Sequence, residues 1–156
     1  MERTPRMPVR LDDGAVLPGR AHEADAGLDL VAREAVTVPA GGRALVGTGV
    51  SLALPPGTVG LVCPRSGLAA RHGITVLNGP GIVDAGYRGE IKVALHNTDP
   101  EHGFDIAPGD RIAQLVVLPY AAPQLDVVES LDDTDRSAGG FGSSGGFGAA
   151  VTAGKE

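Results

Sequence analysis

The chain has 156 residues, 42% of them hydrophobic and 21% charged, with a formal net charge of −6. That length suits one domain with a real core, and the negative balance argues against general nucleic-acid binding, though not against a local cationic site for a phosphorylated small molecule. With 24 glycines, 12 prolines, no tryptophan and 3% aromatics, the composition predicts many turns and few long helices.

The single cysteine, Cys63, excludes an intrachain disulfide and fits a reducing compartment, so a cytoplasmic location is expected. It lies in the apolar run Val59-Gly60-Leu61-Val62-Cys63 and reads as an inert, buried thiol. Met1-Glu2-Arg3-Thr4-Pro5 lacks the apolar region of a signal peptide. No run approaches the roughly 18 apolar residues of a membrane span, so no membrane partner is expected.

In chain order, Val9 and Leu11 open a strand that stops at Asp12-Asp13-Gly14. The small and acidic residues from Ala21 form a loop into a strand at Leu28-Asp29-Leu30-Val31, with Leu28 and Leu30 on one face and Asp29 on the other. Val36 and Val38 alternate before Pro39-Ala40-Gly41-Gly42 turns the chain. Val50, Leu52 and Leu54 alternate before Pro55-Pro56-Gly57 turns it again, and Val59 to Cys63 is a further strand. Short strands between Gly/Pro turns predict an all-β sandwich or barrel.

Pro64-Arg65-Ser66-Gly67-Leu68-Ala69-Ala70-Arg71-His72-Gly73 breaks the rhythm. Ser66 suits an N-cap, Leu68 to Arg71 are helix formers and Gly73 suits the residue after the helix, so one or two helical turns are expected. Backbone N–H groups, the Ser66 hydroxyl and the Arg65 guanidinium would then form an anion site. A capped connector with a solvated Arg65 is the plainer alternative.

Ile74-Thr75-Val76-Leu77 returns to strand and feeds Asn78 to Glu90, which reads as a hairpin of two strand arms closing on a tight turn. Ile91, Val93 and Leu95 alternate with Lys92 and Ala94 beyond it. Glycines 79, 81, 86 and 89 would allow positive φ and close approach of a ligand. Asp84 and Tyr87 sit at the bend. An acid, a ring and bare main-chain groups suit a pocket for a flat polar molecule; equally, Asp84 is a turn former and Tyr87 a cap on the core.

His96 to Pro108 reads as a polar surface connection, and Arg111 to Leu118 as an apolar strand interrupted by Gln114. That amide needs partners or a wet cavity, while Arg111 suits a structural ion pair. From Leu131 the sequence turns acidic, then Gly/Ser-rich through Arg136 to Gly148, and cannot bury a core. It reads as a spacer or, given Arg136, Phe141 and the hydroxyls of Ser143 and Ser144, as a mobile lid that orders on a ligand.

Five segments, taken in order, resemble the trimeric dUTPase (deoxyuridine triphosphate nucleotidohydrolase) family. They are Asp25 to Leu30, Pro64 to Ala69, Asn78 to Glu90, Gly109 to Leu115, and Arg136 to Gly145. Ser137-Ala138 departs from the glycine more usual in the family, and the residues after Phe147 match nothing with a role.

The resemblance implies a distorted jelly-roll-like β-barrel with one short helix over residues 1–130, and a mobile Gly-rich tail over 131–156. It implies cleavage of dUTP to dUMP and pyrophosphate with Mg²⁺, keeping uracil out of DNA and supplying dUMP for thymidylate synthesis. Asp84 would deprotonate the water that attacks the α-phosphorus, and Gln114 would hold that water. Asn78 and the hairpin backbone would fix uracil, and Tyr87 would exclude a 2′-hydroxyl. Arg65, Ser66 and Gly67 would bind the phosphate chain, and Asp29 would hold Mg²⁺ through water. Arg136, Gly142, Ser143 and Ser144 would close on the γ-phosphate, with Phe141 stacked on the base. Asp25 would be structural. A homotrimer with sites shared between subunits is also implied. The nearest rival is dCTP deaminase, which is similar in fold; a non-catalytic nucleotide-binding barrel is a rival of another class.

Overall fold

A computed structural model describes residues 6–135, 137 and 138. The described residues up to Ala122 form one compact unit and those from Pro123 a second; the described residues of the second carry no helix or strand. The expected lid residues Arg136, Phe141, Gly142, Ser143 and Ser144, and with them the expected mobility of the tail, lie outside the described residues.

The first unit is built from antiparallel strands and one short helix, as expected of an all-β, jelly-roll-like chain. In order these are β1 Val9–Leu11, β2 Leu28–Val31, β3 Val36–Val38, β4 Arg43–Gly47, β5 Val50–Leu52, β6 Thr58–Cys63, α1 Ser66–His72, β7 Ile74–Val76, β8 Gly81–Val83, β9 Lys92–Asn97, β10 Phe104–Ile106 and β11 Arg111–Pro119. The larger sheets have orders β2-β11-β6-β8 and β4-β9-β7; β1 pairs β5, and β3 pairs β10. Strand β11 lies between β2 and β6, and its Ile112, Ala113 and Leu115 are buried. Leu30, Val38, Val46, Ile74, Val93 and Leu95 join them in one apolar cluster, the usual consequence of period-2 patterning with one inward face.

Three local expectations change. The arms of the Asn78–Glu90 segment do not pair with each other: β8 ladders with β6, whereas β9 ladders with β4 and β7. Each arm buries its alternate residues, Gly81 and Val83 on one and Val93 and Leu95 on the other, so the arms part and a cleft opens between them. None of glycines 79, 81, 86 and 89 has positive φ; at Gly89 the constraint is instead space, since a Cβ there would collide with the Tyr87 ring. Helix α1 begins one residue earlier than an N-cap at Ser66 requires. Arg65 holds the extended cap conformation (φ −99°, ψ 127°) without a side-chain cap bond, and Ser66 is the first helical residue. Gly73 ends the helix as expected, at φ 64°, with its N–H donating to the Ala69 carbonyl.

The surface connection expected over 96–108 contains strand β10 and a buried asparagine. Asn97, 1% exposed, donates to the Val38 and His102 carbonyls and accepts the Asp99 N–H. Among the described residues no buried side-chain nitrogen or oxygen lacks a hydrogen-bond partner.

Candidate active site

Strand β2, the 64–67 segment and β11 bring five expected residues to one cleft. Its volume is about 450 Å³, and Asp29, Arg65, Ser66, Gly67 and Gln114 line it together with Arg111. The topology explains the meeting: Gln114 is in register with Asp29 on one side and with Cys63 on the other. Period-2 alternation turns the Gln114 side chain away from the buried face of Ala113 and Leu115.

The cleft is electrostatically bracketed. Asp29 Oδ1 lies 3.2 Å from Arg65 Nε, and Asp29 Oδ2 accepts from Arg111 Nη1 at 3.2 Å. Arg65 Nη1 donates to the Arg111 carbonyl at 3.2 Å. The carboxylate thus holds two guanidinium groups side by side, an arrangement of net positive charge with the geometry to accept further oxyanions. Arg111 has the ion-pair role expected of it, and it also faces the cleft.

Gln114 Nε2 donates to the Pro64 carbonyl at 2.9 Å. The bond fixes which end of the amide carries the donor and leaves the amide oxygen on the side of Gly27. A Cβ at Gly27 would collide with that oxygen, so the glycine makes room for it. In the sequence Gly27 stands only as one member of the Asp25 to Leu30 segment, with no role of its own. Asp25 also lines the cleft, and within the loop before β2 its carboxylate accepts the His22 N–H at 2.9 Å. Cys63, expected to be buried, is only partly so and lines the same cleft.

A second, narrower cleft of about 140 Å³ lies where β8 and β9 part. Asn78, Gly81, Val83, Tyr87, Glu90 and Ile91 are among its lining residues. Tyr87 is 46% exposed, and its hydroxyl donates to the Glu90 carbonyl at 2.9 Å. Asp84 follows β8 and is exposed; its carbonyl accepts the Tyr87 N–H at 3.0 Å, closing the bend. The two clefts share no lining residue. Within one chain, therefore, the narrow cleft and the arginine-lined cleft are separate features.

The comparisons bear on what this pair of clefts serves. Residues 13–145 match the family model described as dUTPase. The deoxyuridine 5′-triphosphate nucleotidohydrolase of Rhodococcus erythropolis is 59% identical over 137 residues, 88% of this chain and 84% of that protein. That of Corynebacterium glutamicum is 56% identical over 137 residues, covering 88% of this chain and 92% of that protein. The dUTPase of Staphylococcus bacteriophage 80alpha, solved with dUpNHpp, is similar in structure at a TM-score of 0.84 and 30% identity, over 91% of this chain and 99% of that one. The arginine-lined cleft and the narrow cleft thus sit on a chain that belongs to the dUTPase family.

Proposed function

We propose that this protein hydrolyses dUTP to dUMP and pyrophosphate by attack of water on the α-phosphorus. The water oxygen bonds to that phosphorus, the bond to the bridging oxygen of the β-phosphate breaks, and pyrophosphate leaves. Asp84 takes the proton of the attacking water and Gln114 orients the water; general-base help of this kind is typically worth about 10²–10⁴-fold. Arg65, Ser66 and Gly67 hold the phosphate chain, whose charge the paired guanidinium groups offset. Asn78 and the main chain around β8 bond the uracil edge. Cytosine would leave those groups unpaired, which is the stronger form of discrimination. Tyr87 packs on the deoxyribose and excludes a 2′-hydroxyl.

The observation that carries this reading is the cleft in which Asp29, Arg65, Arg111 and Gln114 converge. Its donor set also suits magnesium in one role. Asp29 offers a single hard carboxylate whose oxygens keep lone pairs beyond the two arginine bonds, and Mg²⁺ retains much of its water and takes substrate phosphates as ligands. Asp29 would hold the hydrated ion, and the ion, when bound, would offset phosphate charge.

The separation of the two clefts supports a homotrimer in which the hairpin of one subunit and the arginine cleft of another complete one site. Exposed Leu45, Leu77 and Ile82, each at least half accessible, supply apolar surface for such contacts. Residues 131–156 close the site as a lid, with Arg136, Ser143 and Ser144 on the γ-phosphate and Phe141 on the base. The product dUMP would serve thymidylate synthesis, and removal of dUTP keeps uracil out of DNA. The test is to incubate the protein with dUTP and dCTP, each with and without a chelator. Chelator-sensitive dUMP and pyrophosphate from dUTP are expected; ammonia from dCTP, or binding of dUTP without turnover, would refute the reading.

A further inference from the structure

The turn joining β4 to β5 grips the chain just past Tyr87. Buried Thr48 donates its hydroxyl to the Ile91 carbonyl at 2.6 Å and accepts the Val50 N–H at 3.2 Å. The Ile91 N–H donates to the Val50 carbonyl at 2.8 Å. Between these bonds the Gly49 N–H donates to Glu90 Oε1 at 2.9 Å, and Lys92 Nζ stands 3.6 Å from Glu90 Oε2. The Glu90 side chain is 18% exposed. Two glycines make its seat: Gly49 holds φ +68°, and a Cβ at Gly47 would come within 2.7 Å of Glu90 Oε1. The carbonyl of the same Glu90 accepts the Tyr87 hydroxyl.

We propose that Glu90 is a positioning residue for substrate selection. Its carboxylate, seated on the 47–50 turn, fixes the carbonyl that holds the Tyr87 ring in the wall of the narrow cleft. It thereby sets the preference for a 2′-deoxynucleotide over its ribonucleotide. The inference rests on the role given to Tyr87 above. An exposed ring held by one hydrogen bond is only as well placed as its acceptor, and the acceptor belongs to a residue with its own anchor. Small displacements at such a site have large effects on selection.

The test compares kcat/KM for dUTP and UTP in the wild type, Glu90→Ala, Glu90→Gln, Tyr87→Phe and the double variant Glu90→Ala/Tyr87→Phe, with thermal melting of each. Glu90→Ala is expected to lower the dUTP/UTP ratio about tenfold, whereas Glu90→Gln, whose amide oxygen still accepts the Gly49 N–H, stays within about threefold of wild type. In the Tyr87→Phe background the Glu90→Ala change should add nothing further, because both act through one contact. A lower melting temperature with an unchanged ratio, or an equal fall in both backgrounds, would overturn the inference. If Glu90→Ala does not fold, Gly47→Ala displaces the same carboxylate and must lower the ratio; an unchanged ratio there would overturn it equally. A wild type that turned over dUTP and UTP alike would instead refute the functional reading itself.

Discussion

Gln114 shows how one side chain can be satisfied in the fold and still face a cleft. An amide in an apolar strand left unsatisfied costs about 1–3 kcal/mol; here its N–H₂ end is satisfied by the Pro64 carbonyl and its other end faces the cleft. Replacing Asp84 tests the reaction more sharply. Asp84→Asn keeps the size of the side chain and removes the proposed base, so kcat should fall about 10²–10⁴-fold. Binding of a nonhydrolysable dUTP analogue should change by no more than a few-fold, read by tyrosine fluorescence, since the chain has no tryptophan. Tyr87→Ala should weaken discrimination against UTP, and an unaltered dUTP/UTP preference would remove Tyr87 from the sugar.

The residue types of the site were legible in the sequence, but their grouping was not. An acid at 29, an arginine and serine at 65 and 66, and an amide at 114 are each unremarkable alone. Their meeting depends on β11 pairing with both β2 and β6, a long-range fact that periodicity does not contain. Gly27, which leaves room for the Gln114 amide, is invisible without that pairing.

At the level of elements, apolar alternation marked β2, β3, β5 and β9; it reflects one inward face in β3 and β9, whereas in β5 the intervening Ser51 is buried as well. Strands β4 and β10 escaped notice. Arg43 heads the first, whose Leu45 is exposed, and Asp105 interrupts the second. Strand β10 is held instead by pairing with β3 and by the buried Asn97 beside it. Asn97→Ala should therefore destabilise by about 2–4 kcal/mol, since it leaves buried main-chain groups unpaired. Chemical denaturation would reveal this, and a loss below about 0.5 kcal/mol would show that the turn reorganises freely.

The neighbouring Asp99 gives that turn a pH dependence. The N–H groups of Glu101 and then His102 hold its carboxyl below the usual carboxylate range. A depressed folded pKa contributes stability above the unfolded value and loses it as pH falls through the folded one. Asp99→Asn should flatten the acid limb of the stability profile by lowering its neutral and alkaline plateau towards the acid value, where the carboxyl of the wild type is already protonated. An acid limb identical to wild type would show that the carboxylate is not what holds the turn at low pH.

On the scale of the whole molecule, the two clefts of one chain are halves of a proposed site that only assembly completes. Mixed trimers of Asp84→Asn and Arg65→Ala, each nearly inactive alone, should recover activity. Random assembly would give about a quarter of the sites an intact hairpin and an intact arginine cleft. No recovery in mixtures shown to exchange subunits would place both halves in one chain. Truncation before Leu131 should leave the proposed trimer folded, because every strand of the first unit precedes that point. Turnover should nearly vanish, and equal losses of melting temperature and activity would contradict a lid role.

The most direct measurement is the fate of the solvent oxygen. Hydrolysis of dUTP in oxygen-18 water, followed by mass spectrometry of both products, should place the label in dUMP and none in pyrophosphate. Label in pyrophosphate, or release of orthophosphate in its place, would mean that water attacks elsewhere on the chain and that Asp84 does not serve the α-phosphorus.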